Sequence, residues 1–120
     1  MTFVVAVVDD DPRILESLES LLESAGYAVR LFPSANALLE KCGFANIDCL
    51  ISDIGMPVMD GLELQRLAHV ARPELPVILI TGRDVTDQAM AAAQGCQGFF
   101  RKPFNGQELL AAVRKALPLE

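Results

Sequence analysis

The sequence predicts one doubly wound α/β domain: five parallel strands alternating with five helices, in the order 2-1-3-4-5. Three observations carry this. Short apolar, β-branched runs alternate with amphipathic stretches along the whole chain. The strand runs are apolar at consecutive positions, as expected of strands covered on both faces. The loops between elements are short, and at 120 residues the chain fits a single domain that buries roughly two thirds of its unfolded surface.

Each element follows in turn. The run from Phe3 to Val8 is a first strand. Ile14, Leu15, Leu18, Leu21, Leu22 and Ala25 then form one helical stripe. Asp11 followed by Pro12 supplies the N-cap and first helical residue, and Gly26 the stop. Tyr27 to Phe32 reads as the second strand, Ser34 to Lys41 as a short helix with Leu38 and Leu39 inward, and Ile47 to Ser52 as the third strand. Asp60-Gly61-Leu62-Glu63 reads as a capping box opening a helix through Leu62, Leu64 and Leu67. Pro76 to Thr81 is the fourth strand and Thr86 to Gln94 a small, alanine-rich helix closed by Gly95. Gly98 to Lys102 is a short fifth strand. Asn105-Gly106-Gln107-Glu108 is a second capping box, opening the last helix through Leu109, Leu110, Val113, Ala116 and Leu117.

Composition narrows the function. Hydrophobic residues make up 52% of the chain and charged ones 22%, which argues against disorder. The net charge is -6, with no basic cluster beyond Arg101-Lys102 and Arg114-Lys115, so direct nucleic-acid binding by this domain is not expected. Cys42, Cys49 and Cys96 lack metal-ligand spacing and read as buried free thiols of a reducing compartment. No leader and no membrane-length apolar run is present in the sequence, so the expectation is a cytoplasmic protein with no membrane partner.

The polar residues collect at one edge. In an open α/β sheet, ligands bind beyond the carboxyl ends of the strands, at the point where strand order reverses. In the flavodoxin-like order 2-1-3-4-5, strands one and three lie side by side there. Strand one ends in Asp9, Asp10 and Asp11, strand three in Ser52 and Asp53, strand four in Thr81, and strand five in Arg101 and Lys102. Asp9, Asp10 and Asp53 converge, flanked by Thr81 and Lys102. Carboxylates about 5 Å apart repel by about 3 kcal/mol per pair at an effective dielectric of ~20. A hard divalent cation offsets that, and Mg²⁺ suits a few carboxylates with retained waters. Asp11 is the exception, because Pro12 marks it as a helix cap.

"VVDDD", "LISDIGMPVMDG", "ILITG" and "FFRKPF" resemble, in order and spacing, the receiver domain of two-component response regulators (the CheY-like superfamily), across essentially the whole chain. The general run is most similar to receivers of the FixJ/NarL type. The resemblance implies that Asp53 is the phosphoacceptor and that Asp9 and Asp10 form the acidic pair, Asp10 being the more direct Mg²⁺ ligand. It implies that the carbonyl of Gly55 is a further metal ligand, that Thr81 is the switch hydroxyl and that Lys102 pairs with a phosphoryl oxygen. It makes Phe99 the aromatic switch residue and the Lys102-Pro103 bond cis. Gly55, two after Asp53, offers no side chain to the path of attacking water, and Arg83, two after Thr81, places a cation near the phosphoryl group.

The implied function is a phosphoacceptor that takes its phosphoryl group from a sensor histidine kinase. It is a signalling domain rather than an enzyme, although it assists its own phosphorylation and dephosphorylation. Phosphorylation is expected to shift the face made by the helix over 86–94, the fifth strand and the last helix, favouring a homodimer. In the FixJ/NarL group the receiver precedes a helix-turn-helix output domain, so residues 1–120 are expected to be one receiver cut from a longer transcriptional regulator. The competing reading is a pseudo-receiver, a protein-binding module independent of phosphorylation. A flavin-binding protein of the same topology would need a neutral phosphate cradle where "DDDPR" stands, and a dehalogenase-like phosphatase would need a DxD pattern and a cap domain.

Overall fold

In a computed structural model, residues 2–56, 59–82 and 96–118 are described. Five strands form one parallel sheet in the order β2-β1-β3-β4-β5: β1 (Val4–Val8), β2 (Ala28–Phe32), β3 (Cys49–Asp53), β4 (Val77–Thr81) and β5 (Gly98–Arg101). Four helices lie among the described residues: α1 (Pro12–Ser24), α2 (Ala35–Lys41), α3 (Gly61–Ala71) and α4 (Gly106–Ala116). The helix predicted over Thr86–Gln94 falls outside the described residues, as does Arg83.

The central strands β1, β3 and β4 are apolar at consecutive positions up to their carboxyl ends because both sheet faces are covered there. Val5, Val7, Cys49, Ile51, Ile78 and Ile80 face a core closed by Leu15, Leu18 and Leu22 of α1 and Leu109, Leu110 and Val113 of α4. Ala6, Val8, Leu50, Val77 and Leu79 face a second core, closed by Leu38 of α2 and Leu64 and Ala68 of α3. Each strand thus divides its side chains between two cores with a period of two.

The helix ends follow their local chemistry. Asp11 caps α1, its Oδ1 accepting from the Arg13 amide at 2.9 Å. At the other end, Gly26 takes φ 100 while the Gly26 and Tyr27 amides donate to Glu23 and Leu22 carbonyls, a closure that needs the left-handed conformation glycine adopts freely. Ser34 caps α2 through the Ala37 amide. The two predicted capping boxes form only half. Asp60 accepts from the Glu63 amide and Asn105 from the Gln107 and Glu108 amides. The Glu63 side chain turns instead to Arg66, at 3.1 Å from Nε to Oε2, because a charged partner on the same helix face competes with the backbone amide.

One thiol expectation needs correction as well. Cys49 is buried, and burial pushes its thiol up to about 12. Cys42 and Cys96 are only partly covered. Cys42 sits at the end of a short helix on an outer layer, where its Sγ meets Nη1 of Arg30 at 3.1 Å. Two long-range bonds tie loops to the frame. Tyr27 Oη donates to the Leu117 carbonyl at 2.9 Å, fixing the end of α4 to the start of β2. Arg72 Nη1 donates to the Phe44 and Ile47 carbonyls beneath β3.

Candidate functional site

The register brings the predicted polar residues to one edge. Val8 pairs with Ser52, Asp53 with Ile80, and Thr81 with Arg101, so Asp9, Asp53, Thr81 and Lys102 all sit at or just past the carboxyl ends of β1, β3, β4 and β5. Asp9, Ser52, Asp53 and Thr81 are the buried polar residues among those described. Asp10, next to Asp9, is exposed. One carboxylate oxygen each from Asp9, Asp10 and Asp53 can be chosen so that all three lie within 4.8 Å of one another.

Lys102 offsets part of the crowding. Its Nζ lies 2.8 Å from Asp9 Oδ2 and 3.6 Å from Asp53 Oδ2. The shorter contact is an ion pair rather than an aligned hydrogen bond, since Asp9 Oδ2 is buried with no partner in hydrogen-bond geometry. The Lys102 amide donates to the Thr81 carbonyl at 2.7 Å, which sets the lysine at the end of β4, and the Lys102-Pro103 bond is cis, as the resemblance implied. Burial pushes the Asp9 carboxyl above its ordinary range, and the Lys102 ammonium beside it opposes that shift only in part. Burial draws the Lys102 ammonium down, but the Asp9 and Asp53 carboxylates together carry it above the usual lysine value.

Asp11 points elsewhere. Its carboxylate takes the Arg13 amide at 2.9 Å and the Arg13 guanidinium at 3.2 Å. That pairing holds the Asp11 carboxyl below the usual range. The three consecutive aspartates therefore divide: one is buried against a lysine, one is exposed beside it, and one caps a helix.

Of the remaining predicted residues, Gly55 is exposed, with its amide 3.4 Å from Asp53 Oδ1, and a Cβ there would meet nothing within 4 Å. Phe99 is partly buried and packs against the core beneath α2 and α3. His69 is exposed on α3, as a solvated helix residue should be. A concavity of about 690 Å³, with none of Asp9, Asp10 or Asp53 in its lining, runs along α3 and the start of β4, between Leu62, Arg66, Val70, Pro73 and Gln97.

Sequence reasoning missed Gly61. A Cβ on it would stand 2.3 Å from the Asp53 carbonyl oxygen and 2.9 Å from Cα of Ile54. The one sign in the sequence is a glycine at the first position of a helix, where it is a poor helix former.

A family model described as "Response regulator receiver domain" matches residues 5–114. This chain belongs to the response regulator receiver domain family. The receiver is 42% identical over 117 residues to the response regulator protein TmoT of Ectopseudomonas mendocina, covering 97% of this chain and 53% of that protein. It is 35% identical over 114 residues to the transcriptional regulatory protein FixJ of Bradyrhizobium diazoefficiens, covering 94% of this chain and 56% of that one. The chain thus spans about half the length of these relatives. Among solved structures, a CheY-like response regulator receiver domain protein from Methanospirillum hungatei superposes with a TM-score of 0.89 at 30% identity, covering 96% of this chain and 93% of that one. The receiver is therefore a two-component signalling domain whose relatives include transcriptional regulators. No helix among the described residues is long and apolar enough to cross a membrane.

Proposed function

We propose that this receiver accepts a phosphoryl group on Asp53 from a phosphohistidine of a sensor kinase. The observation that supports this most directly is Lys102 Nζ lying 2.8 Å from buried Asp9 and 3.6 Å from Asp53. One Asp53 oxygen attacks phosphorus, a P–O bond forms and the P–N bond of the donor breaks, and the donor ring, protonated on its other nitrogen, leaves as neutral imidazole. Phosphoryl transfer depends on positioning and on charge offered to the equatorial oxygens. Lys102 offers an ammonium already held at the acceptor, and Thr81 a hydroxyl at the end of the neighbouring strand.

A hard-cation donor set fits the rest of the site. Asp9, Asp10 and Asp53 offer carboxylate oxygens within 4.8 Å of one another, joined in our proposal by the Gly55 carbonyl. Mg²⁺ bound there would supply positive charge against the phosphoryl oxygens. Gly55 has no side chain to orient or exclude water beside Asp53. The domain is proposed to assist the loss of its phosphate as well as its gain.

The output is proposed to be transcriptional. The domain works in the cytoplasm within a longer regulator and passes its state to a DNA-binding domain. The switch combines Thr81, drawn toward the phosphoryl group, with Phe99, which moves into the space behind β4. It shifts the face that carries β5 and α4 and favours a homodimer.

Mass spectrometry after incubation with acetyl phosphate and Mg²⁺ tests the acceptor. A gain of one phosphate is expected in the natural chain and none in Asp53→Asn. An unlabelled natural chain would instead identify a phosphorylation-independent binding module. Sedimentation with and without beryllofluoride tests the dimer, and an unchanged mass would rule it out.

A further inference from the structure

We infer that Gly61 is a positioning residue for the acceptor, an inference that rests on the reading of Asp53 given above. The N-terminus of α3 lies directly on the peptide that follows Asp53. The Gly61 amide donates to the Ile54 carbonyl at 3.1 Å. The Ile54 amide, in the peptide before that carbonyl, donates to the Ile80 carbonyl of β4 at 2.8 Å. The Asp53–Ile54 backbone is therefore clamped between a neighbouring strand and a helix end.

The clamp closes only on a residue without a side chain. A Cβ at Gly61 would lie 2.3 Å from the Asp53 carbonyl oxygen, 2.9 Å from its carbonyl carbon and 2.9 Å from Ile54 Cα. All three obstacles are backbone, so no rotamer change relieves them. Gly61 is absent from the positive-φ glycines of the chain, so close approach, not left-handed backbone, is what requires it. Two site groups stand on the clamped segment: the Asp53 carboxylate itself and Gly55, whose amide faces Asp53 Oδ1. A methyl group at Gly61 forces the end of α3 and that segment apart, and the part of the shift taken by the segment moves Asp53 relative to Lys102 and Asp9, which are carried by other strands.

Displacements of about 1 Å at a reacting centre cost on the order of 100-fold in rate. Gly61→Ala should therefore slow acetyl phosphate labelling of Asp53 by about 10- to 100-fold. It should also shrink the Mg²⁺-induced rise in melting temperature, a readout that needs no phosphoryl transfer. The comparison is Leu18→Ala, which removes a fully buried side chain from the core beneath α1 and α4. That variant should lose stability yet keep its labelling rate and its Mg²⁺ response. If Gly61→Ala folds and matches Leu18→Ala in both readouts, Gly61 is only a packing residue and the inference is wrong. If Gly61→Ala does not fold, Asp60→Ala decides. It removes the cap on the Glu63 amide, so the end of α3 frays without any added atom. Slower labelling than Leu18→Ala then supports the clamp, and parity overturns it. A natural chain that never labels, but whose Mg²⁺ response is lost in Gly61→Ala, counts against the phosphoacceptor reading alone.

Discussion

Asp53→Asn should stabilise the metal-free protein even as it abolishes phosphorylation. The Asp53 side chain is 7% exposed and carries a charge among charges. Its attraction to Lys102 at 3.6 Å is about 4.6 kcal/mol at an effective dielectric of ~20. Repulsion from Asp9, with facing oxygens within 4.8 Å, is at least about 3.5 kcal/mol on the same scale. Asp10 adds a further repulsion, cut by its exposure to roughly 1–2 kcal/mol. The Coulomb terms nearly cancel, which leaves the cost of burying the carboxylate uncompensated. Asparagine keeps the shape, can still accept from the Gly55 amide, and frees Lys102 for Asp9 alone. A gain of about 1–2 kcal/mol is expected, or ~4–8 °C in Tm for a domain of this size. Thermal melts in low-salt buffer with EDTA measure it directly. Added Mg²⁺ should narrow the gap by stabilising the natural chain through binding to its folded form. A variant melting at or below the natural chain without metal would show that Asp53 is net favourable in the fold, and the electrostatic reasoning would be refuted.

Other perturbations follow from the same geometry. Asp10→Asn should weaken the Mg²⁺-induced rise in Tm more than Asp11→Asn, because Asp11 is committed to the α1 cap and Arg13; equal losses in a melting titration would contradict that division. Burial raises the Asp9 carboxyl in the folded state, so the folded protein holds that proton more tightly than the unfolded chain. Stability from this group is full below the ordinary value of 3.8 and is lost as pH rises through the raised one. Asp9→Asn should flatten that loss in urea melts taken upward from pH 4, and an unchanged slope would exclude Asp9 as its source. Tyr27→Phe should cost about 1 kcal/mol by removing the buried bond to the Leu117 carbonyl, measured by urea denaturation at constant m. No loss would mean that water replaces the hydroxyl.

How much of this was legible beforehand differs by kind of interaction. Alternating apolar runs and helical stripes gave the strand–helix order, and the strand ends placed Asp9, Asp53, Thr81 and Lys102 on one edge. Those signals are local: a period of two or of 3.6 is written within a single segment. Caps were equally local, and Asp11 was separated from its two neighbours by Pro12 alone. The Glu63 side chain was not, since Arg66 and the cap amide compete for it at similar range and only the folded geometry shows the winner.

What the tertiary structure decided is how groups from different strands meet. Lys102 could have faced any of the carboxylates; the pairing of β4 with β5 sets its Nζ nearer Asp9 than Asp53. Gly61 read only as a weak start to a helix. Its requirement comes from a helix end resting on the Asp53 peptide, at a distance where a single carbon would collide. Composition and spacing determine which residues reach the edge of the sheet. Close packing between separate elements decides how far apart they stand, and both the charge balance at Asp53 and its chemistry depend on that distance.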